Sequence, residues 1–457
     1  MTNHWSSRLS VALSMLFLNT AFPQQKVTLT VEKCIEIGME NSKSLHSSLM
    51  RVQAADAKSS EAFASRLPTL KASGSYNRLS DIPPFDMAIP ASLFGPGLPP
   101  QSLDFVVSQT ILSNYNVRFS LQQPLFTGFR LESSAQMADY AAQAASQDFN
   151  KDKSDLVYSI RNAYWNLYKA LEFKKVIDEN VEQMNAHLSD VQSFFNQGIV
   201  TKNEVLRVEV QLSNAQNLQL DAQNNMRLAS LALDNVIGLS LDREIDVQSE
   251  IQPQSKSYQE VDKLVQSALS NRPELKAMQF RVGASQSGVI LAKSGWLPQI
   301  YLTGNYYYAR PNARIIPSVD QFKDTWDFGI SASLDIWNWG TTIHQTTQAQ
   351  AQLAQAQDTF AQLRDAVQLE VTQSYLNLHE SKEKVDVAGK GVNQAEENYH
   401  ITDEKFKSGL ALNSDLLDAE VALLQAKWNY IQALVESELA DARLQKATGT
   451  DSPAPKE

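Results

Sequence analysis

Two hydrophobic periods take turns along the chain. Leu70, Ala72, Gly74 and Tyr76 alternate with Lys71, Ser73, Ser75 and Asn77. Tyr115, Val117, Phe119 and Leu121 alternate with Asn116, Arg118, Ser120 and Gln122. Ile300 to Tyr308 and Trp326 to Ile336 repeat the pattern. A period of two marks a strand with one apolar and one polar face. Four strands are expected, over about 69–78, 112–123, 299–308 and 326–337.

Between the strand pairs the period becomes helical. From Leu156 through Ile160, Ala163, Leu167, Ala170, Lys174, Ile177, Val181, Met184, Leu188, Val191 and Phe195 the steps alternate four and three. That spacing predicts a coiled-coil seam rather than a broad core face. Gly198 is the expected helix stop. Val205, Val208, Leu212, Ala215, Ala222, Leu233 and Val236 then carry the same spacing back. The prediction is an antiparallel helical hairpin over 128–238, turning at Gly198, and a second over 341–449, turning at Gly409. One helix from Gly128 to Phe194 would run for ~100 Å at the helical rise. A further helix is expected over Val31–Arg66, ended by Leu67-Pro68.

The chain is written twice. Asn41, Leu45, Arg51-Val52, Leu67-Pro68, Gly74 and Tyr76 recur 230 residues later as Asn271, Leu275, Arg281-Val282, Leu297-Pro298, Gly304 and Tyr306. Asn166-Leu167, Phe195, Gly198, Glu209, Leu212 and Gly238 recur 211 residues later as Asn377-Leu378, Phe406, Gly409, Glu420, Leu423 and Gly449. The repeats are placed at 26–240 and 258–450, with a tail at 451–457. The offset falls by 19 between Tyr76 and Ser120. The Pro- and Gly-rich stretch from Asp81 to Pro100 accounts for this and is expected to be a loop.

Alternating strands with aromatic ends suit a membrane barrel with a wet lumen. Four strands cannot close one, because the smallest such barrels need about eight. An open edge in lipid leaves backbone groups unsatisfied. A membrane version must therefore share its barrel with other copies. Residues 1–21 read as a signal peptide, with Arg8, an apolar run from Leu9 to Leu18, and a cleavage site after Ala21. No later apolar run reaches the ~18 residues of a spanning helix. A net charge of −11 argues against a nucleic-acid partner. The lone cysteine, Cys34, permits no internal disulfide and is expected as a small apolar residue on a helix. The histidines lack metal spacing and no phosphate-binding loop is present, so neither enzyme, metal nor cofactor is expected. The rival reading is a coiled-coil structural or adhesive envelope protein.

With these features in place, the chain resembles the TolC family of outer-membrane efflux proteins over about Lys26 to Thr450. ALSNRPEL resembles that family's repeat opening. LPQIYLTGNY resembles a first strand, and QQPLFTGF and LDIWNWG resemble strand-to-helix passages. FNQGIVTKNEVLRVE and FKSGLALNSDLLDAE resemble hairpin tips. The resemblance implies a mainly α fold with a membrane β-barrel. Each protomer of a homotrimer would give four strands to a shared barrel of twelve, above a periplasmic α-helical barrel. It implies passive export across the outer membrane, with a periplasmic adaptor (membrane fusion) protein and an inner-membrane pump as partners and outer-membrane lipid around the barrel. Gly198, Ile199, Val200, Gly409 and Leu410 match adaptor-contacting tips. Glu204, Asp415 and Asp418 match entrance acids, and Phe195 and Phe406 lie beside the gate. Where the family's best-studied type has a gate Tyr and Arg, this chain has Phe406 and Ala411. The gate is therefore expected to be held otherwise, by apolar tip packing or through Lys202 or Lys407.

Overall fold

The computed structural model describes residues 27–80, 85–90, 95, 102–108, 111–241, 245–247 and 260–451. The signal-peptide segment, most of the tail and much of the Asp81–Pro100 stretch lie outside the described residues. The described chain forms two compact units.

The first unit holds Met1–Ser42, Leu156–Ser257 and Asn377–Ala442. It contains β1 (Val27–Leu29), α1 (Val31–Asn41) and β6 (Ile245–Val247), with the facing parts of four long helices. Those helices are α3 (Arg130–Asn196), α4 (Lys202–Ile237), α7 (Thr341–Lys407) and α8 (Asn413–Thr448). The hairpins therefore form with the expected partners, and α3 and α7 are each unbroken over 67 residues. One core joins Cys34 and Ile35 of α1, Val157, Ile160, Tyr164 and Leu167 of α3, Leu233 and Ile237 of α4, and Val435 of α8. β1 pairs in parallel with β6, a contact no periodicity announced. The Tyr164 hydroxyl donates to the Leu29 carbonyl at 3.2 Å, which ties this short pair to α3.

The seam of α3 differs from expectation. Ile160, Leu167, Ile177, Met184 and Val191 are buried as predicted, but the second column is not. Val157 and Tyr164 are buried one residue after Leu156 and Ala163, and Asn180 and His187 one residue before Val181 and Leu188. The displaced positions remain half-buried. Near the tips α3 packs against both α4 and α8, through Val205, Val208, Leu416 and Leu417. A helix between two partners buries a wider arc than a two-column seam allows.

The second unit holds Lys43–Asp155, Tyr258–Leu376 and Arg443–Glu457. It contains α2 (Lys43–Ala64), α5 (Val261–Asn271), α6 (Pro273–Lys293) and the strands β2 (Thr69–Arg78), β3 (Phe85–Pro90), β4 (Ser102–Ser108), β5 (Ser113–Phe126), β7 (Gln299–Arg310) and β8 (Lys323–Ser333). The sheet order is β2-β5-β7-β8, antiparallel throughout. Val265 and Ala268 of α5, Leu275 of α6, Val367 and Val371 of α7 and Ala447 of α8 form a separate helical core.

Three expectations need correction. The helix over Val31–Arg66 is two helices, because Ser42 is extended with ψ 113°. Arg272 does the same in the second repeat with ψ 124°. There Pro273 follows, and the residue before a proline is pushed out of the helical region. The Asp81–Pro100 stretch is not a loop throughout, since Phe85–Pro90 pairs with Ser102–Ser108 as an antiparallel hairpin. The fourth strand begins at Lys323 and stops at Ser333, short of residue 337.

Candidate functional site

Each hairpin turns on a glycine in the left-handed region, Gly198 at φ +77° and Gly409 at φ +74°. Both close the same cap. Ile199 N–H donates to the Phe194 carbonyl and Gly198 N–H to that of Phe195, each at 2.9 Å. Leu410 and Gly409 donate in the same way to Lys405 and Phe406, at 2.7 and 2.9 Å. This arrangement satisfies carbonyls left open at a helix end, and its C′ position favours glycine. The cap turns apolar side chains outward: Ile199 is 63% exposed and Leu410 79%. Val200 is half-buried.

A cleft of about 610 Å³ lies between the tips, lined by Phe194, Val200, Glu204, Arg207, Phe406 and Asn413 among others. Phe406 is buried, with ring centres 5.3 Å from His187 and 5.6 Å from Phe194. Phe195 is exposed, with the Lys202 ammonium 5.9 Å from its ring centre. Lys407 pairs with Asp403 of its own helix at 2.8 Å, and that hydrogen bond raises its pKa. The three acids differ in setting. Glu204 is half-buried and accepts from the Asn413 amide at 2.8 Å. Asp415 is exposed and accepts the Leu412 N–H at 3.1 Å, the backward half of a capping box at the start of α8. Asp418 is exposed one turn on.

Sequence reasoning missed the polar group beneath these residues. His187 of α3 is buried, with Nε2 2.8 Å from Asn413 Oδ1 and Nδ1 3.3 Å from Glu420 Oε2. Glu420 is 1% exposed, and its Oε1 is buried without a hydrogen-bond partner among the described residues. Tyr399 stands nearby on α7. Burial, then the Glu420 and Asp403 carboxylates, push its phenol up to about 12. The one available signal was Glu420 itself, a repeat match to Glu209. His187 has no histidine counterpart in the second repeat, where Asn398 stands. Among the described residues no three His, Cys, Asp or Glu side chains gather as a metal site.

The four-stranded sheet is the second functional surface. Its register brings Leu70, Leu121 and Gly304 into one row, and Ala72, Phe119, Tyr306 and Trp326 into another. Leu70, Phe119, Leu121, Trp326, Phe328 and Ile330 are exposed on this apolar face. Aromatic groups mark both strand ends. At one end Tyr76, Tyr115, Phe322 and Tyr308 make ring contacts at 4.8, 5.8 and 5.0 Å in turn. Toward the helix-entry end Trp296, Trp337 and Trp339 are 53%, 75% and 85% exposed. The opposite face is polar. Arg118 donates to Asn305 and Asn305 to Asp327, each at 2.7 Å, while Arg314 pairs with Asp327 and stacks on Tyr307.

An apolar band between aromatic girdles, with a hydrogen-bonded polar reverse, is the pattern of a transmembrane barrel wall. Among the described residues no helix is long and apolar enough to cross a membrane. The sheet and the paired long hairpins define the protomer class of outer-membrane channels with helical periplasmic extensions. Comparison with known proteins gives the family. The sequence profile described as "Outer membrane efflux protein" matches residues 35–239 and 264–450, one match in each repeat, and the chain belongs to that family. It is 22% identical over 315 residues to Toxin and drug export protein A of Aggregatibacter actinomycetemcomitans, covering 67% of each chain. It is 22% identical to outer membrane protein TolC of Vibrio cholerae, over 69% of this chain and 73% of that one. Its fold matches the Campylobacter jejuni CmeC outer membrane channel with a TM-score of 0.76 at 17% identity, covering 93% and 87%. The protein is thus an outer-membrane channel of the efflux and secretion class, with its helical part in the periplasm.

Proposed function

We propose that three copies of this chain form one duct, which a periplasmic adaptor joins to an inner-membrane pump. The observation that carries this reading is the four-stranded sheet, with its lipid-suited face and two open edges, β2 and β8. In lipid such edges cost several kcal/mol for each unsatisfied group. Pairing β8 of one copy with β2 of the next removes every edge once the ring closes, and three copies give the twelve strands of a closed barrel. The passage is passive, and its energy comes from the pump.

The hairpin tips form the periplasmic entrance. Glu204, Asp415 and Asp418 line it, and rings of carboxylates favour cations. Asp415 is partly committed to its backbone cap, so Asp418 carries more of the selectivity. Gly198, Ile199, Val200, Gly409 and Leu410 meet the adaptor, an assignment supported by the exposed Ile199 and Leu410 side chains. Phe195 and Phe406 flank the gate. Phe406 acts as packing between His187 and Phe194, in line with apolar closure. Lys407 is engaged by Asp403, which leaves Lys202 the freer tip cation.

The test is the mass of the purified protein in detergent together with its conductance in planar bilayers. The expected result is a trimer forming cation-selective channels, with reversal potentials reduced more by Asp418→Ala than by Asp415→Ala. A monomer without channels would refute the duct. Selectivity untouched by both substitutions would refute the acidic entrance.

A further inference from the structure

We propose that the lumen wall of the barrel favours anions, and that Arg314, folded inward on the turn between β7 and β8, is a specificity-determining residue for passage at the end of the sheet away from the helices. The inference rests on the duct reading above for which face is the lumen. It adds a second charge zone, opposite in sign to the entrance acids, that would ease small anions and carboxylate- or phosphate-bearing solutes through the barrel.

The strand register places the charges. Lys71 and Asp327 stand at the two ends of one row across the polar face, Arg118 is in the next row and Lys323 in the one after. Arg78 and Asp324 alternate onto the apolar face instead. Arg310 and Asp320 neutralise each other at 2.7 Å. With Arg314 from the turn, the described polar face therefore sets four cations against one carboxylate. Arg118 keeps its charge uncancelled, since its Nε and Nη2 donate to Oδ1 of the neutral Asn305 amide at 3.2 and 2.7 Å. Lys71 and Lys323 are exposed. A water-filled pore with low-dielectric walls focuses such an excess, and rings of Arg and Lys favour anions.

Arg314 belongs to the turn, and local contacts bring it over the polar face. Asn312 is buried and pins the turn to β8. Its Nδ2 donates to the Lys323 carbonyl and to Thr325 Oγ1, each at 3.1 Å, while its Oδ1 accepts the Arg314 N–H at 3.0 Å. The Arg314 guanidinium then lies 4.3 Å from the Tyr307 ring centre and pairs with Asp327. Tyr307 and Asp327 both lie on the polar face, so the turn bends back toward the lumen. The ion pair is solvent-exposed, 45% for Arg314 and 37% for Asp327, and exposed pairs contribute little to stability. Its removal therefore changes the field of the wall while the strand pairing holds. Loss of Arg314 leaves the Asp327 carboxylate bare and makes that row locally more negative.

Thiol reaction rates in a Gly329→Cys background test this. Gly329 lies on the polar face two residues, ~7 Å, along β8 from Asp327, and a Cβ there would meet nothing within 4 Å. Cys34, the only native cysteine, is buried. The full-length protein in detergent at about 10 mM salt, where screening is weak, is treated separately with an anionic and a cationic methanethiosulfonate. The ratio of the anionic to the cationic rate is divided by the same ratio for a free thiol. It should exceed one. Arg314→Gln should lower it about three-fold and Asp327→Asn raise it about three-fold, the scale of one unit charge ~10 Å away in water acting on probes two charges apart. A ratio below one overturns the proposal, as does a folded Arg314→Gln with an unchanged ratio. Should Arg314→Gln fail to fold, an Asp327→Asn ratio that stays level or falls overturns it as well. In planar bilayers Arg314→Gln should move the reversal potential further toward cations and Asp327→Asn away from them. Because the thiol rates need no conducting channel, failure of the charged wall is distinct from failure of the duct.

Discussion

Phe328 and Gly329 are adjacent on β8 and face opposite sides of the sheet, so one charge moved by one residue tests which face meets lipid. Phe328 lies midway along Lys323–Ser333, between Trp326 and Ile330, and is 64% exposed in the protomer. A strand midpoint between two aromatic girdles lies at the bilayer midplane, where an arginine on the lipid face costs ~2–4 kcal/mol. At 1.4 kcal/mol per decade this is about 30- to 1,000-fold in the insertion equilibrium for each copy. Gly329 faces the polar side, and a Cβ there would meet nothing within 4 Å. Its replacement also removes a residue that weakens strands. Gly329→Arg should therefore insert as wild type does and alter only conductance or ion preference. The assay is denaturant-controlled folding into lipid vesicles, read as the fraction protected from protease. Phe328→Arg should lose most of that fraction and Gly329→Arg none. Equal losses, or loss in Gly329→Arg alone, would refute the assignment of faces and with it the membrane reading of the sheet.

Gly198→Ala should lower stability by ~1–2 kcal/mol, the cost of a left-handed residue with a Cβ, because nothing stands within 4 Å to clash. Gly238→Ala should cost more in the same thermal unfolding series, since its Cβ would lie 2.9 Å from the Asn41 Cβ. Cys34 is buried, and burial pushes its thiol up to about 12, so a maleimide should label it only after denaturation. Burial disfavours the Asp155 charge, yet hydrogen bonds from Lys151 and Lys446, each at 2.6 Å, hold its carboxyl below the usual range. With the folded pKa depressed, its stabilisation is present above the unfolded value near ~3.9 and lost as pH falls through the folded one. Asp155→Asn should flatten that part of an acid-unfolding curve, and an unchanged curve would show that the lysine pairs contribute nothing.

What the sequence disclosed was what repeats. The hairpin lengths, the stops at Gly198 and Gly409 and the alternating strands each occur twice, and duplication separates a weak pattern from chance. The misreadings fall where one copy lacks the other's signal. Ser42 breaks a helix as Arg272 does, but only Arg272 is followed by a proline to announce it. The hairpin of β3 and β4 belongs to one repeat alone, and its prolines conceal strand pairing. The pairing of β1 with β6 joins segments more than 200 residues apart and only 3 residues long, too short for any period to register.

The tip cluster was hidden for a deeper reason. A periodic reading assumes that a helix has one partner and that its buried positions are apolar. His187 violates both assumptions, since it occupies the arc that α3 turns toward α8 and it is polar. The seam read from Val181 and Leu188 runs one residue to the side of it. A buried histidine beside a buried glutamate runs against the apolar seam of a helix, yet hydrogen-bonded polar groups of this kind fix the register between helices that apolar contacts alone would let slide. Where the resemblance to the family's best-studied type leads one to expect a gate Tyr and Arg, this chain has Phe406 and Ala411, which can make neither a hydroxyl bond nor an ion pair. The polar contacts at these tips lie instead one layer deeper, on His187, Asn413 and Glu420. An entrance held by buried groups answers to packing, whereas one held by exposed ion pairs answers to salt.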